Sequence, residues 1–273
     1  MSTPWHRITQ FRGCMAAWAP IFLLLIFFQV RAIADRGQTV ENRPPFVPGE
    51  RLTYALRWGL VPAGTAVLEV LNPETVSGVK AHHFAMTATS NRFVDAFYPV
   101  RDRVDAFADL GMTRSLLYRK KQLEGRHRRD ESVTFDWATS TVRYENFGKM
   151  RKPVSITPGT FDPLSVFYAF RGQHLQGDSS LQAVVTDGKK CVVGTARIVE
   201  KQTVQVPCGE FETFVVEPDL KDVGGVFKKS DNASLRVWVT ADERKIPVKV
   251  ASRVVVGDFV AELISIERGL LDR

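Results

Sequence analysis

Residues 49–71, GERLTYALRWGLVPAGTAVLEVL, show the side-chain alternation that decides the fold class. Four large apolar residues occupy every second position, which places their side chains on one face of a β-strand. They are Leu52, Tyr54, Leu56 and Trp58. Residues 59–64 (GLVPAG) are typical of a turn, and the alternating residues after them predict a second strand. The segment therefore predicts two strands that share one apolar face.

The same pattern of short alternating segments continues to the end of the chain. The further predicted strands are 101–108, 114–123, 130–136, 141–146, 181–186, 189–193, 196–206, 211–218, 234–240, 247–256 and 258–267. Asp187-Gly188 and Gly257-Asp258 are hairpin-type turn signals between them. Many short strands with closely spaced turns predict a mainly β protein. We expect a single curved antiparallel sheet that forms a half-open barrel or β-spiral.

One segment, about 162–171, predicts a short helix instead. Asp162 can cap the free N–H groups of the first turn, and Pro163 suits the first helical position. Apolar and aromatic residues follow at helical spacing up to Arg171, and Gly172 can end the helix. A single helix among strands is expected to cover an opening of the sheet.

The N-terminus is typical of an export signal. Arg7 and Arg12 precede an apolar run over residues 16–30, and Ala32-Ile33-Ala34 offers a cleavage site. We therefore expect a cleaved signal peptide at 1–34, an extended linker at 35–48 and a single β-rich domain at 49–270. The predicted location is the bacterial periplasm. The alternative is an uncleaved signal that anchors the protein in the inner membrane.

The charge balance gives little support to nucleic-acid binding. The whole chain has 37 basic and 30 acidic residues, and three of the arginines belong to residues 1–34. The remaining 34 basic and 30 acidic residues give a net charge of +4, which is ordinary for a soluble domain. Membrane contact is expected only through the signal segment or transiently.

Two cysteines, Cys191 and Cys208, follow the signal segment. An even number in an oxidising compartment predicts a disulfide between them. The alternative is two buried thiols. No C-x-x-C motif is present, and two isolated cysteines do not form a zinc site, so no metal is expected.

The sequence contains no catalytic or cofactor-binding signature. A G-x-S-x-G elbow, an H-E-x-x-H motif, a Walker A loop and a G-x-G-x-x-G loop are all missing. No cofactor is therefore predicted, and the protein is not expected to be an enzyme.

A basic stretch at 119–129 allows two interpretations. Arg119, Lys121, Arg126 and Arg128 could bind an anion such as a phosphate-bearing lipid headgroup or an acidic glycan. Alternatively, the stretch is a solvated β-ribbon whose charges discourage edge pairing. Gly125 lies between its halves and is expected to form the hairpin turn.

Three separated blocks resemble a family of bacterial exported proteins known as domain of unknown function 3108. They are residues 45–70, 161–171 and 246–263. The residues that carry the resemblance are Pro48-Gly49-Glu50, Tyr54, Gly64, Asp162-Pro163-Leu164, Tyr168, Arg171 and Ile246-Pro247. The resemblance implies a secreted domain whose curved sheet wraps towards a barrel, similar to half-barrel carriers of acyl chains. It implies no catalytic residues.

These observations favour a non-enzymatic envelope protein that holds a lipid or another hydrophobic ligand in the curved sheet. The expected lining residues are Tyr54, Trp58, Phe161, Leu164, Phe167, Tyr168 and Arg171. A structural adaptor that docks another envelope protein is the alternative. An enzyme acting on envelope glycans or lipids would instead require ionisable groups converging in a cavity.

Overall fold

The computed structural model describes residues 44–175, 180–220, 232–255 and 257–269. The predicted signal peptide at 1–34 and most of the predicted linker lie outside these ranges. The described chain forms the strands β1 (Arg51–Trp58), β2 (Val61–Val76), β3 (Val79–Ser90), β4 (Val100–Asp109), β5 (Ser115–Glu124), β6 (His127–Asp136), β7 (Thr141–Asn146), β8 (Lys149–Met150), β9 (Val154–Ser155), β10 (Thr160–Phe161), β11 (Ser180–Thr186), β12 (Cys191–Val206), β13 (Gly209–Pro218), β14 (Ser234–Thr240), β15 (Pro247–Val254) and β16 (Gly257–Glu267). Its helices are α1 (Arg92–Asp95) and α2 (Pro163–Arg171).

All strands belong to one sheet that is curved and not closed. Its order is β10-β11-β12-β13-β14-β15-β16-β1-β2-β3-β4-β5-β6-β7-β8, and β9 pairs with β7. Neighbouring strands are antiparallel, except that β10 and β11 are parallel. Because β1 pairs with β16, the first and last long strands lie side by side in the middle of the sheet. The predicted mainly β, curved antiparallel fold is confirmed.

The alternating apolar and polar residues of the strands are alternately buried and exposed in the fold. In β2 the side chains of Ala66, Leu68 and Val70 are buried, and the residues between them are partly exposed. Gly64 is needed where β2 meets β3, because a Cβ there would lie 2.1 Å from the carbonyl oxygen of Thr89. The buried faces of the strands together form one core inside the curve.

The up-and-down order places alternate connections at the same end of the sheet. The end with the β1–β2 turn, α1 and the β5–β6 turn is called the α1 rim. The opposite end, with the start of β1 and the β14–β15 turn, is called the Arg171 rim. The helix α1 was not predicted, since four residues produce no helical periodicity.

The helix α2 closes the Arg171 rim, as the expected cover of an opening. Asp162 is its N-cap and accepts hydrogen bonds from the backbone N–H groups of Leu164 and Ser165, both at 2.8 Å. Ser115 at the start of β5 donates to Asp162 Oδ2 at 2.5 Å and accepts from its backbone N–H at 2.8 Å. All nine residues of α2 are buried, so the helix has no solvent-facing side.

The predicted disulfide is wrong, because Cys191 and Cys208 are free thiols that are each half-buried. The predicted strands 189–193 and 196–206 form one strand, β12, of 16 residues. Cys191 is its first residue, and Cys208 lies beyond its end. Such a strand extends about 50 Å at ~3.3 Å per residue, whereas disulfide-linked Cα atoms lie within about 7 Å.

We expect a reductant to leave the midpoint of thermal unfolding unchanged, because no disulfide contributes to stability. Denatured protein should react with two equivalents of thiol reagent beyond any thiol in residues 1–34. The Cys191→Ser, Cys208→Ser double variant is the control, and it should unfold at a similar temperature in both buffers. If a reductant lowered the unfolding temperature by several degrees in the parent chain alone, the disulfide would be present after all.

Candidate functional site

The predicted ligand-lining residues lie mostly in the packed core around α2. Tyr54, Phe161, Leu164, Phe167, Tyr168 and Arg171 each expose 7% or less of their surface. Trp58 is the exception, because it is half-buried near the α1 rim and stacks on Phe259 of β16 at 6.3 Å. The structure therefore joins six of these residues around the helix and places Trp58 elsewhere.

A buried ion pair fixes the C-terminus of α2. Arg171 Nη1 donates to Glu50 Oε1 at 2.5 Å, and Nη2 donates to Oε2 at 2.9 Å. Arg171 Nε also donates to the carbonyl oxygen of Arg244 at 3.0 Å, and Nη2 to that of Pro45 at 3.4 Å. A single guanidinium thereby connects the helix, the start of β1 and the β14–β15 turn.

Aromatic rings pack beside this ion pair. Tyr168 stacks on Phe84 of β3 with ring centroids 3.9 Å apart, and Phe46 meets both rings edge-on at 5.2–5.3 Å. Phe46 belongs to the predicted linker, so the end of that segment is part of the core. Tyr54 donates its hydroxyl hydrogen to the carbonyl oxygen of Pro247 at 2.8 Å. Most of the residues that carry the family resemblance therefore lie around α2 and the Arg171 rim, whereas Gly64 lies near the α1 rim, where it pairs with Ser90.

The α1 rim has a cleft where the sheet separates between two strands. β13 and β14 pair only over residues 213–216. Beyond that point the strands diverge, and Arg236 Nε reaches across to Glu217 Oε1 at 2.6 Å. The resulting cleft has a volume of about 1060 Å³. This volume matches the upper range of small-molecule sites.

The lining of this cleft mixes apolar and polar residues, and its three arginines are accompanied by the carboxylates of Glu217, Asp219 and Asp258. The apolar lining residues are Ala196, Pro218, Leu220, Ala233, Leu235, Ala251, Phe259 and Val260. The hydroxyl of Ser252 also faces the cleft, and it is buried without a hydrogen-bond partner among the described residues. Buried hydroxyls normally have partners, so a ligand that displaced the side chains covering this oxygen could supply the missing one. Arg197, Arg236 and Arg253 lie on the walls.

A second cleft of about 990 Å³ opens at the Arg171 rim. Phe46, Tyr168 and Arg171 lie along its wall, but the two predicted ligand-lining residues among them, Tyr168 and Arg171, present almost no surface to it. Their polar groups already have protein partners, since Arg171 binds Glu50 and the Tyr168 hydroxyl lies 3.5 Å from the carbonyl oxygen of Glu69. These two residues therefore offer a ligand no free polar group, although Gln173, His174, Glu243 and Lys245 also line this cleft.

The basic hairpin of β5 and β6 divides its charges between the two faces of the sheet. Arg119, Lys121, Arg126 and Arg128 are exposed, and no carboxylate of the described residues forms a salt bridge with them. The hairpin turn is at Gly125, as expected, with φ +57°. Whether these four residues bind an anion stays a prediction.

The inner face of the same hairpin carries a buried carboxylate, Glu131. Lys120 Nζ lies 2.6 Å, Arg129 Nη1 2.8 Å and Lys189 Nζ 3.0 Å from its oxygens. Tyr144 donates a further hydrogen bond at 2.6 Å. Burial opposes ionisation, but the neighbouring Lys120 and the other donors hold the pKa of Glu131 well below its usual range. Since Lys189 precedes β12, this contact joins the two distant parts of the sheet.

A second buried carboxylate lies near it. Asp102 accepts hydrogen bonds from the backbone N–H of Leu123 at 3.0 Å and from Gln122 Nε2 at 3.3 Å. Gln122 also donates to Glu124 at 2.5 Å. Burial raises the pKa of Asp102 to about 6, and the hydrogen bonds from Leu123 and Gln122 limit the increase.

The described residues contain no group of three or more His, Cys, Asp or Glu side chains that could hold a metal ion. The Glu131 and Asp102 groups are instead bonded to neighbouring protein donors. Among the helices of the described ranges, none combines the length and the apolar character needed to cross a bilayer.

The fold and the site define an open, barrel-like β protein closed at one end by a buried helix. The chain belongs to the family described as protein of unknown function (DUF3108), whose sequence model matches residues 53–264. The family resemblance of the three sequence blocks is therefore confirmed. No curated protein matches the chain.

Comparison with solved structures supports the fold. The beta-barrel-like protein of domain of unknown function DUF1849 from Brucella abortus has a TM-score of 0.53 at 11% identity, over 82% of this chain and 99% of that one. A Bacteroides fragilis protein with a YmcC-like fold gives 0.31 at 12% identity, over 89% and 100%. The hypothetical protein CT021 of Chlamydia trachomatis gives 0.35 at 8%, over 84% and 91%. The last two scores are below 0.5, so the argument for the fold rests on the Brucella structure.

We expect Glu50→Gln to lower the free energy of unfolding by about 3–5 kcal/mol, because it leaves the buried guanidinium of Arg171 without its counter-charge. The double variant Glu50→Leu, Arg171→Met should be considerably more stable than Glu50→Gln. Chemical denaturation measures both values. The exposed pair Lys201–Glu212 provides the control, and Lys201→Met should change stability by less than about 1 kcal/mol. A near-neutral Glu50→Gln would contradict the assigned role of the ion pair.

We expect ionisation of Asp102 to lower the free energy of unfolding as the pH rises. Because the folded protein binds this proton more tightly than the unfolded chain, the loss develops between pH 4 and pH 6 and is constant above that range. The free energy of unfolding of Asp102→Asn, taken relative to that of the parent, should therefore rise by up to about 3 kcal/mol between pH 4 and pH 7.5.

Denaturation at several pH values measures this change, and Asp95→Asn serves as the control of opposite sign. Hydrogen bonds from Arg101 and Ser90 lower the pKa of Asp95 to about 2, so its stabilising effect is present above pH 4 and lost as the pH falls towards 2. If the difference between Asp102→Asn and the parent does not depend on pH, the environment assigned to Asp102 is wrong.

Proposed function

We propose that this protein is a non-enzymatic, exported envelope protein that binds a single-chain amphiphile in the cleft between β13 and β14. The ligand class is an acyl chain with an anionic or hydrogen-bonding headgroup. The observation that carries the proposal is the group of apolar side chains in the cleft, next to the buried Ser252 hydroxyl that has no hydrogen-bond partner among the described residues. Export to the periplasm is supported by the signal-like residues 1–34.

The chemistry of the lining suits such a ligand. An acyl chain would gain from contact with Leu235 and Phe259, because burying apolar surface is favourable. The Ser252 hydroxyl would hydrogen-bond the polar part of the ligand. Arg197 on the wall would attract an anionic headgroup, whereas Arg253 and Arg236 are already paired with Asp258 and Glu217. Phe259 is stacked on Trp58, so that predicted residue would support the lining.

The adaptor alternative depends on the free edges of the sheet. Strand addition needs a row of unpaired backbone groups, and long edges provide more of them. The strands β8, β9 and β10 at these edges have only two residues each. Beside them, β10 covers only Val184 and Val185 of β11, so the longest free edge there is residues 180–183, which is short for strand addition.

Ligand binding can be tested with a variant that fills the cleft. Ala233→Trp introduces an indole into the lining, whereas Ala138→Trp places the same ring on the exposed β6–β7 turn. We expect Ala233→Trp to abolish binding of a fluorescent fatty acid and Ala138→Trp to leave it unchanged. Ser252→Ala should weaken binding about threefold to tenfold, because one hydrogen bond is lost.

Mass spectrometry of organic extracts from the purified protein gives an independent measurement. The parent chain should release a co-purified amphiphile, and Ala233→Trp should release none. Equal binding by Ala233→Trp and Ala138→Trp would exclude the cleft as the site. A lack of any ligand in extracts and titrations would refute the function itself.

A further inference from the structure

The α1 rim gathers exposed apolar side chains that the described core leaves uncovered. They are Leu60 (95% exposed), Val61 (40%), Phe93 (63%), Phe97 (45%) and Val255 (65%). Phe93 and Phe97 form an edge-to-face pair at 5.5 Å. Single exposed apolar residues are common, but several on one rim mark a contact surface.

Hydrogen bonds show that these residues belong to one continuous surface. The backbone N–H of Gly59 donates to the carbonyl oxygen of Asp258 at 2.7 Å, which joins the β1–β2 turn to β16. Asn91 Nδ2 donates to the carbonyl oxygen of Pro62 at 2.7 Å, which joins that turn to α1. The backbone N–H of Gly125 donates to the carbonyl oxygen of Pro99 at 2.8 Å, which adds the basic β5–β6 turn.

The same rim has an excess of positive charge. Arg92, Arg126 and Arg128 have no salt-bridge partner within the described part of the chain. Arg101 and Arg253 are neutralised by Asp95 and Asp258. Glu131 is balanced by Lys120, Arg129 and Lys189, and the single buried carboxylate of Glu124 is outnumbered by the three arginines.

We propose that the α1 rim docks onto the surface of an anionic phospholipid bilayer. The aromatic and aliphatic side chains would enter the interfacial region, and the arginines would contact the phosphate groups. Charge complementarity selects this occupant, since neighbouring basic and aromatic residues are the combination that anionic interfaces favour. The docking goes beyond the ligand proposal and does not depend on it.

The docking would also position the cleft. Arg253, Asp258 and Phe259 line the cleft and lie at the same end of the sheet as Leu60 and Val255. A rim seated on a bilayer would therefore bring the mouth of the cleft to the membrane surface. An amphiphile could then pass between the bilayer and the cleft without crossing open water.

Depth-dependent quenching tests the orientation of docking with the full chain. All three native cysteines are replaced by serine, and Leu60→Cys or Leu110→Cys is labelled with the same fluorophore. Leu110 is 44% exposed at the opposite end of the sheet, so it provides the matched control. The probes are vesicles of phosphatidylethanolamine and phosphatidylglycerol containing a spin-labelled lipid. We expect quenching at position 60 and little at position 110.

Charge variants test the stated chemistry. The double variant Arg126→Gln, Arg128→Gln should bind the vesicles about fivefold more weakly for each arginine removed. Quenching at position 60 should fall accordingly. Lys80→Gln with Lys201→Gln removes the same charge far from the rim and should have little effect.

Equal quenching at positions 60 and 110 would overturn the proposal, and so would unquenched fluorescence at both. Docking that is unchanged by the arginine variants would exclude the anionic bilayer as the partner. Fatty-acid binding in solution is measured separately, so the two proposals can fail independently.

Discussion

The bidentate pair between Arg171 and Glu50 is the constraint on which the rest of the structure depends. Burying two charges is expensive, and removing one partner leaves the other without compensation in a low-dielectric interior. Arg171 has no exposed surface, so α2 must sit where Glu50 and the carbonyl oxygen of Arg244 converge. The pair therefore determines where the helix lies more than it adds net stability. Residues separated by 121 positions in sequence become neighbours through it.

This constraint acts together with the order of the strands. Since β1 pairs with β16, the early and late parts of the chain meet along the centre of the sheet. The ion pair repeats that connection at the Arg171 rim, where it joins the segment before β1 to the β14–β15 turn. The contact between Lys189 and Glu131 connects the outer parts of the sheet. The sheet can stay open at its edges because these three connections hold its curvature.

The strands and α2 could be predicted because their causes are local. Alternation identified the strands, and Asp162-Pro163 marked the start of the helix before any tertiary contact was known. The cleft could not be predicted, because it arises where β13 and β14 stop pairing, which depends on the curvature of the whole sheet. The cysteine count suggested a bridge that the length of β12 forbids. The burial of Phe46 could not be predicted either, because the polar, proline-rich residues around it are typical of a linker.

Alternation also separates the charges of the β5–β6 hairpin by function. Glu131 lies on the inner face with Lys120, where it also contacts Lys189 from a distant part of the chain. Arg126 and Arg128 lie on the outer side. Residues 119–131 contain six Lys or Arg residues and three acidic ones, and the two faces of the hairpin divide these charges unequally. Glu124 and Glu131 are buried and Asp130 is the exposed acidic residue of the stretch, so the outer surface of the hairpin keeps a net positive charge beside the exposed rings of α1. The period of two that builds the sheet thus also creates the surface through which we propose that the protein meets the membrane.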